Sequence, residues 1–277
     1  MYPTIFDLGT LHLGPIHLPV AVHSYGLMMA LAFLTCMYLG QREFKRKGLE
    51  PRLASSIILW GALGGIIGAK LYSSLQDGSL SFRELFSNSG LVWYGGLIGG
   101  LGAAIWVIHR SSAPLLPTLD ALAPLLLLGY GIGRIGCFLS GDGDYGPPSD
   151  LPWAMSFPKG TVPVNVPVHP TPLYEFGLSV VGFALLWRVR KEKEETAGWL
   201  VGAGLIAAGI ERFLAEFWRT SERVIAGLTT AQLISIGLVI VGSWIIYETT
   251  RRSSSTADGT GTPTSHVAGR RKRANRQ

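Results

Sequence analysis

The hydrophobic positions of this chain fall into long blocks separated by short polar stretches. Blocks of roughly 17–25 residues, the length that crosses a hydrocarbon core of about 30 Å, lie near 19–40, 54–75, 91–109, 119–139, 172–188, 198–218 and 229–247. They predict an all-α integral membrane protein with about seven transmembrane helices. These spans consume most of the sequence, leaving one transmembrane domain over 1–250 with a longer outer-face loop at about 140–171. Residues 251–277, rich in Ser, Thr, Gly and basic residues, predict a disordered tail.

Composition strengthens the membrane reading: 48% of the 277 residues are hydrophobic, only 15% are charged, and 36 are glycine. Both cysteines, Cys36 and Cys137, sit inside apolar blocks, so no disulfide framework or CxxC metal site is legible, and no ligand spacing calls for a metal or a soluble cofactor. The opening MYPTIFDLGTLHLGPIHLPV lacks the basic region of a cleaved signal, so the first block is expected to be kept as a span.

Charge then orients the spans, because Lys and Arg accumulate in cytoplasmic loops. QREFKRKGLEPR, the His109-Arg110 pair, RVRKEK and the tail from Arg251 carry five, one, four and seven basic residues, seventeen of the 24. The alternate segments carry Arg83, Lys159, Arg219 and Arg223. The N-terminus is therefore expected outside and the C-terminus in the cytoplasm. The net charge of +6 follows from the inner-face excess and implies contact with anionic headgroups, not with nucleic acid.

Ionisable residues inside a span are costly unless they face a bundle interior or a watery cavity. Lys70, Arg134, Glu175, Glu211, Arg212 and Glu216 fall within or at the edge of predicted spans. At about 1.5 Å per residue, Lys70, Arg134, Arg212 and Glu216 all reach the outer third of the bilayer. His169 and Glu175 approach that depth from the other direction, as do Tyr94 and the pair His23 and Tyr25. The convergence predicts a polar cavity open to the outer leaflet, with two arginines and a lysine placed to hold an anion. Phosphate suits it, since guanidinium forks match its oxygens in bidentate geometry. Ion pairing alone is the competing reading, because Arg212 and Glu216 stand at i, i+4 on one helix face.

Three further features refine the picture. The prolines of VHPTPLYE fix a turn ahead of the fifth span, with His169 in it as a candidate proton acceptor near neutral pH. GALGGIIGAK and YGGLIGGLGAA space small residues three or four apart, the pattern of close helix packing. Trp93, Trp153 and Trp218 fall near outer boundaries, where indoles anchor at the interface. GIGRIG (131–136) matches a dinucleotide-binding fingerprint letter for letter, but the apolar LDALAPLLLLGY leads into it where a strand is required. Its glycines are expected to admit neighbouring helices around Arg134.

HSYGLM (23–28), YGGLIG (94–99), GRIGCFLSGD with Gly146 (133–146), HPTPLYE (169–175) and ERFLAEFWR (211–219) together resemble the bacterial prolipoprotein diacylglyceryl transferases, in that family's order. The resemblance implies transfer of the diacylglyceryl group of phosphatidylglycerol to the lipobox cysteine of preprolipoproteins, in the bacterial cytoplasmic membrane and without a cofactor. Membrane lipids and signal peptides would be its partners. By matching position, Arg134 is similar to the family's headgroup arginine, and Arg212 and Glu216 look like its second arginine and that arginine's carboxylate partner. Tyr25, Gly146, His169, Tyr174 and Glu175 also match. On the headgroup side we expect Arg134, Arg212, Gly146, Asp142, Tyr174, Glu175 and Lys70.

The departures lie elsewhere. Tyr94 stands for the family's histidine, Cys137 and Ser140 for asparagines, Asp142 for a glutamate and Ala208 for a tyrosine, and the spacing to Gly146 is one residue longer. The thiol's proton acceptor is left open between His169 and a water-linked Tyr94. A paralogue using another acceptor or lipid, or a non-catalytic lipid-binding or transport protein, remains the alternative.

Overall fold

The computed structural model describes residues 2–13, 16–76 and 93–259. Arg83 and the start of the block expected at 91, like residues 260–277, lie outside the described residues. The described part holds seven α-helices: α1 Ser24–Arg46, α2 Pro51–Gln76, α3 Trp93–Arg110, α4 Leu115–Ser140, α5 Thr171–Val189, α6 Trp199–Ala215 and α7 Thr230–Gly259. Among them α2, α4, α5 and the Thr230–Ser254 part of α7 are long and apolar enough to cross a membrane. Large apolar side chains such as Leu126, Ile66, Ile98 and Ile240 point outward and are more than half exposed, as expected where lipid is the solvent.

Three short antiparallel hairpins qualify the all-α expectation: β1 Thr4–Leu13 with β2 Ile16–His23, β3 Met155–Phe157 with β4 Val164–Val168, and β5 Arg223–Ile225 with β6 Leu228–Thr229. The first hairpin takes up residues 19–23, so α1 begins at Ser24 and not at 19. At the far end α7 continues helically to Gly259, past the expected start of the tail at 251.

Glycine decides which helices pair. The ridge Gly61, Gly64, Gly65 and Gly68 of α2 meets Gly95, Gly96, Gly99 and Gly100 of α3. A Cβ on Gly64 would stand 2.6 Å from the Ala103 Cβ, and one on Gly68 only 2.9 Å from the Gly99 Cα. Lipid tails are as apolar as Leu, so close van der Waals contact replaces the hydrophobic drive between such helices. A second seam joins α6 to α7, where a Cβ on Gly202 would lie 2.7 Å from the Gly242 carbonyl oxygen.

The central helix, α4, packs on α1, α5 and α6. Cys36, Phe44, Ile57, Ile108, Ala121 and Leu125 form one buried cluster, and Ala123, Leu127, Leu186 and Leu200 form another. GIGRIG lies wholly inside α4. There Gly131 leaves room for Ser179 and Phe176 of α5, and Gly136 for Met28 and Tyr25 of α1, as its spacing predicted.

Polar tethers close one end of the bundle. Glu43 pairs with Arg46 at 2.7 Å and Arg190 at 3.1 Å, and Arg46 reaches Glu194 at 2.7 Å. Asp120 accepts the Gly198 and Val201 N–H groups at 2.6 and 2.8 Å, satisfying free donors at the start of α6. The opposite end carries the hairpins, with Tyr2 N–H donating to the Leu139 carbonyl at 3.2 Å.

Candidate functional site: a buried arginine cluster

The site gathers where α4 stops. Gly141 caps α4 in the left-handed region (φ 60), its N–H donating to the Cys137 carbonyl at 2.9 Å. The chain then turns sharply through Gly143 (φ 99). Return contacts pin this segment to the loop carrying β3 and β4: Thr161 N–H to the Ser140 carbonyl at 3.0 Å and Val162 N–H to that of Gly141 at 2.9 Å. Tyr145 stacks on the buried Phe157 at 4.1 Å. Gly146 fills a slot that excludes a side chain, since a Cβ there would lie 2.7 Å from the His169 Cβ and 3.0 Å from the Thr171 hydroxyl.

Three guanidiniums meet three carboxylates at this end. Glu175, one turn into α5 and fully buried, sits at the centre. It pairs with Arg134 Nε at 3.1 Å, Arg219 Nη1 at 3.2 Å and Arg212 Nη1 at 3.8 Å. Asp144 bridges Arg134 and Arg219, one oxygen to each. Glu216 pairs with Arg212 Nη2 at 2.7 Å. The Arg134 guanidinium also lies over the Tyr130 ring at 4.8 Å, a cation–π contact one turn back on α4. Arg212 Nη1 is buried and, beyond its 3.8 Å ion pair with Glu175, makes no hydrogen bond among the described residues.

Burial alone would raise the Asp144 carboxyl's pKa, but Arg219 and Arg134 outweigh that and hold it below the ordinary carboxylate range. The bridge is therefore charged at neutral pH. Cys137, Asp142 and Asp144 also bring potential metal donors within 4.8 Å of one another. Each Asp144 oxygen already accepts from a guanidinium, so positive charge is present at that end of the group.

The expected residues divide into groups. Arg134, Arg212, Glu175 and Glu216 come together. Tyr25 packs over Gly136 beside them, a Cβ on that glycine standing 3.3 Å from its Cδ2. His169 and Tyr174 form an adjoining network: His169 Nδ1 lies 3.1 Å from the Tyr174 hydroxyl, which accepts from Trp153 Nε1 at 2.8 Å. Trp218 packs edge-on to Tyr174 at 5.4 Å. Trp153 and Trp218 thus both contact Tyr174; the Trp93 side chain lies outside the described ones. Lys70 and Tyr94 sit on the α2–α3 pair, whereas the cluster is assembled from α4, its following loop, α5, α6 and the turn after α6.

Two residues add to the expectation. Asp144 carries ion pairs, and Asp142, expected on the headgroup side, accepts the Asp144 N–H at 3.2 Å. Arg219, counted among outer-loop charges, folds back until its side chain is only 16% exposed. Its place at the end of ERFLAEFWR was the available signal, but counting rise per residue gives no depth beyond a helix end.

A family model described as prolipoprotein diacylglyceryl transferase matches residues 14–248. The chain belongs to the prolipoprotein diacylglyceryl transferase family. The phosphatidylglycerol–prolipoprotein diacylglyceryl transferase of Bordetella bronchiseptica is 33% identical, over 91% of this chain and 98% of its own. The protein of that name from Actinobacillus pleuropneumoniae serotype 3 is 35% identical over 87% and 90%. That of Pseudomonas putida F1 is 31% identical over 89% and 94%. Each is matched over nearly its whole length, so the arginine cluster lies within the region that defines the family.

Proposed function

We propose that the protein transfers the diacylglyceryl group of phosphatidylglycerol to the lipobox cysteine of preprolipoproteins, the first step of bacterial lipoprotein maturation. The observation that carries this reading is the cluster of Arg134, Arg212 and Arg219 at one end of the helices, with family membership naming the chemistry. The thiolate attacks the glycerol carbon bonded to the phosphate oxygen. As the carbon–sulfur bond forms, the carbon–oxygen bond breaks and glycerol 1-phosphate leaves with the electron pair. Arg134, Arg212 and Arg219 stabilise the charge that grows on this leaving group, in a partly buried site where such contacts are worth most.

The thiol must also lose its proton. His169, oriented through Nδ1 by Tyr174, and a water-linked Tyr94 are the candidates; a phenol with an ordinary pKa of about 10 is the weaker base. In this reading seven helices cross the cytoplasmic membrane, N-terminus outside, and the Glu43–Arg190 end faces the cytoplasm. The basic loops beside that end support the orientation.

The test supplies purified protein with phosphatidylglycerol and a lipobox peptide carrying one cysteine. A thioether-linked diacylglyceryl peptide is the expected product, and its absence where a standard family member works overturns the reading. Arg134→Ala should cut turnover by about 100-fold or more, the usual scale for losing a charge-stabilising donor. Unchanged turnover would remove Arg134 from the site.

A further inference from the structure

We propose that Asp144 is a resident anion of the phosphate site: in the lipid-free protein it occupies the position between Arg134 and Arg219 that a phosphodiester takes, and it withdraws when the lipid binds. It thereby sets the KM for phospholipid. This rests on the function proposed above and adds to it a specificity-determining residue that competes with the substrate.

The charge count is the first argument. The three guanidiniums of the cluster are matched by three ion-paired carboxylates, Asp144, Glu175 and Glu216. Glu211, buried at 6% exposure on the same helix as Arg212, adds only to the negative side if it ionises. A phosphodiester brings one further negative charge. An uncompensated charge in a buried site is costly, so an anion gives way when phosphate enters.

Exposure and attachment decide which one. The Glu175 and Glu216 side chains are 0% and 1% exposed and are fixed on or at the end of a helix, whereas that of Asp144 is 31% exposed. Asp144 stands in a loop directly after Gly143 (φ 99). Its own N–H is held by Asp142, two residues away. Of the three carboxylates it alone stands on a loop and is partly open to solvent, so its side chain can turn out of the site without moving a helix or the pinned backbone.

The third argument is shape. One Asp144 oxygen meets Arg134 Nη1 and the other Arg219 Nη2, the spread that two non-bridging phosphate oxygens present to a pair of guanidiniums. Once Asp144 withdraws, these donors join Arg212 Nη1, which makes no hydrogen bond among the described residues, and all three face the incoming phosphate.

Asp144→Asn keeps the shape and removes the charge. In the purified full-length enzyme it should lower the KM for phosphatidylglycerol several-fold, and glycerol 1-phosphate should inhibit at a several-fold lower concentration. A carboxylate that merely holds the arginines in place predicts the opposite, a raised KM with a reduced kcat; that result, or no change in either quantity, overturns the proposal. A second measurement needs no variant. Carbodiimide-driven amine labelling of the wild-type protein, read by peptide mass spectrometry as the ratio of Asp144 to the exposed Asp150 because phosphate consumes the reagent, should rise when inorganic phosphate or glycerol 1-phosphate is added. A constant or reduced ratio counts against it. Failure of the wild type to make any thioether would count against the proposed function, while the labelling response is read without turnover.

Discussion

At the scale of single residues, placement and chemistry separate. Arg134, Arg212 and Glu175 were legible because an ionisable group in an apolar helix needs a reason to be there, and helical rise gave their depth. Arg219 and Asp144 were not, because both lie beyond helix ends, where the path of the chain is set by Gly141, Gly143 and the contacts of Thr161 and Val162. Tyr94 is the residue whose role is most open to experiment. Tyr94→His introduces a group whose ordinary pKa is about 6.5 in place of one near 10. If position 94 takes part in deprotonation, turnover should rise below pH 8 and the acidic limb of the kcat/KM profile should move toward neutrality. An identical rate and profile would assign the proton to His169 or to another acceptor.

Among the elements, the glycine seams matter more than the length of any helix. The α2–α3 pair depends on backbones in near contact, so Gly99→Val should separate the two helices: even a Cβ at Gly99 would lie 2.9 Å from the Gly68 Cα. Overpacking of this kind costs about 1–3 kcal/mol, and thermal unfolding in detergent should show a clear fall in Tm. Gly102→Val in α3, where a Cβ meets nothing within 4 Å, should leave it nearly unchanged. Equal effects at the two positions would mean that helix propensity, and not the seam, is being measured. The spacing of these glycines was visible in the sequence, but which helices they join was not, because periodicity marks a face without naming its partner.

Over the whole molecule, polar contacts segregate to two ends. Glu43, Arg46, Arg190 and Glu194 tie loops at one end, and the arginine cluster with the hairpins occupies the other. If the basic end is cytoplasmic, a cysteine at Asp7 should react with a membrane-impermeant thiol reagent added outside intact cells, while one at Lys191 should react only after permeabilisation. Both native cysteines are buried and give a low background. The reverse labelling pattern would invert the topology.

By itself the sequence determined the class of solvent, the approximate number and limits of the helices, the ends at which charge accumulates and the family motifs. All of these depend on hydrophobicity, charge and short-range spacing, which are properties of the chain read in order. Only the tertiary structure decided that Asp144 bridges Arg134 and Arg219 and that Arg219 joins the site. It also decided that Glu175 is the common partner of three guanidiniums, and that residues 16–23 close a hairpin where a span was expected to begin. Those outcomes depend on where loops return and on which buried charge finds which partner, and such pairings form between segments far apart in sequence.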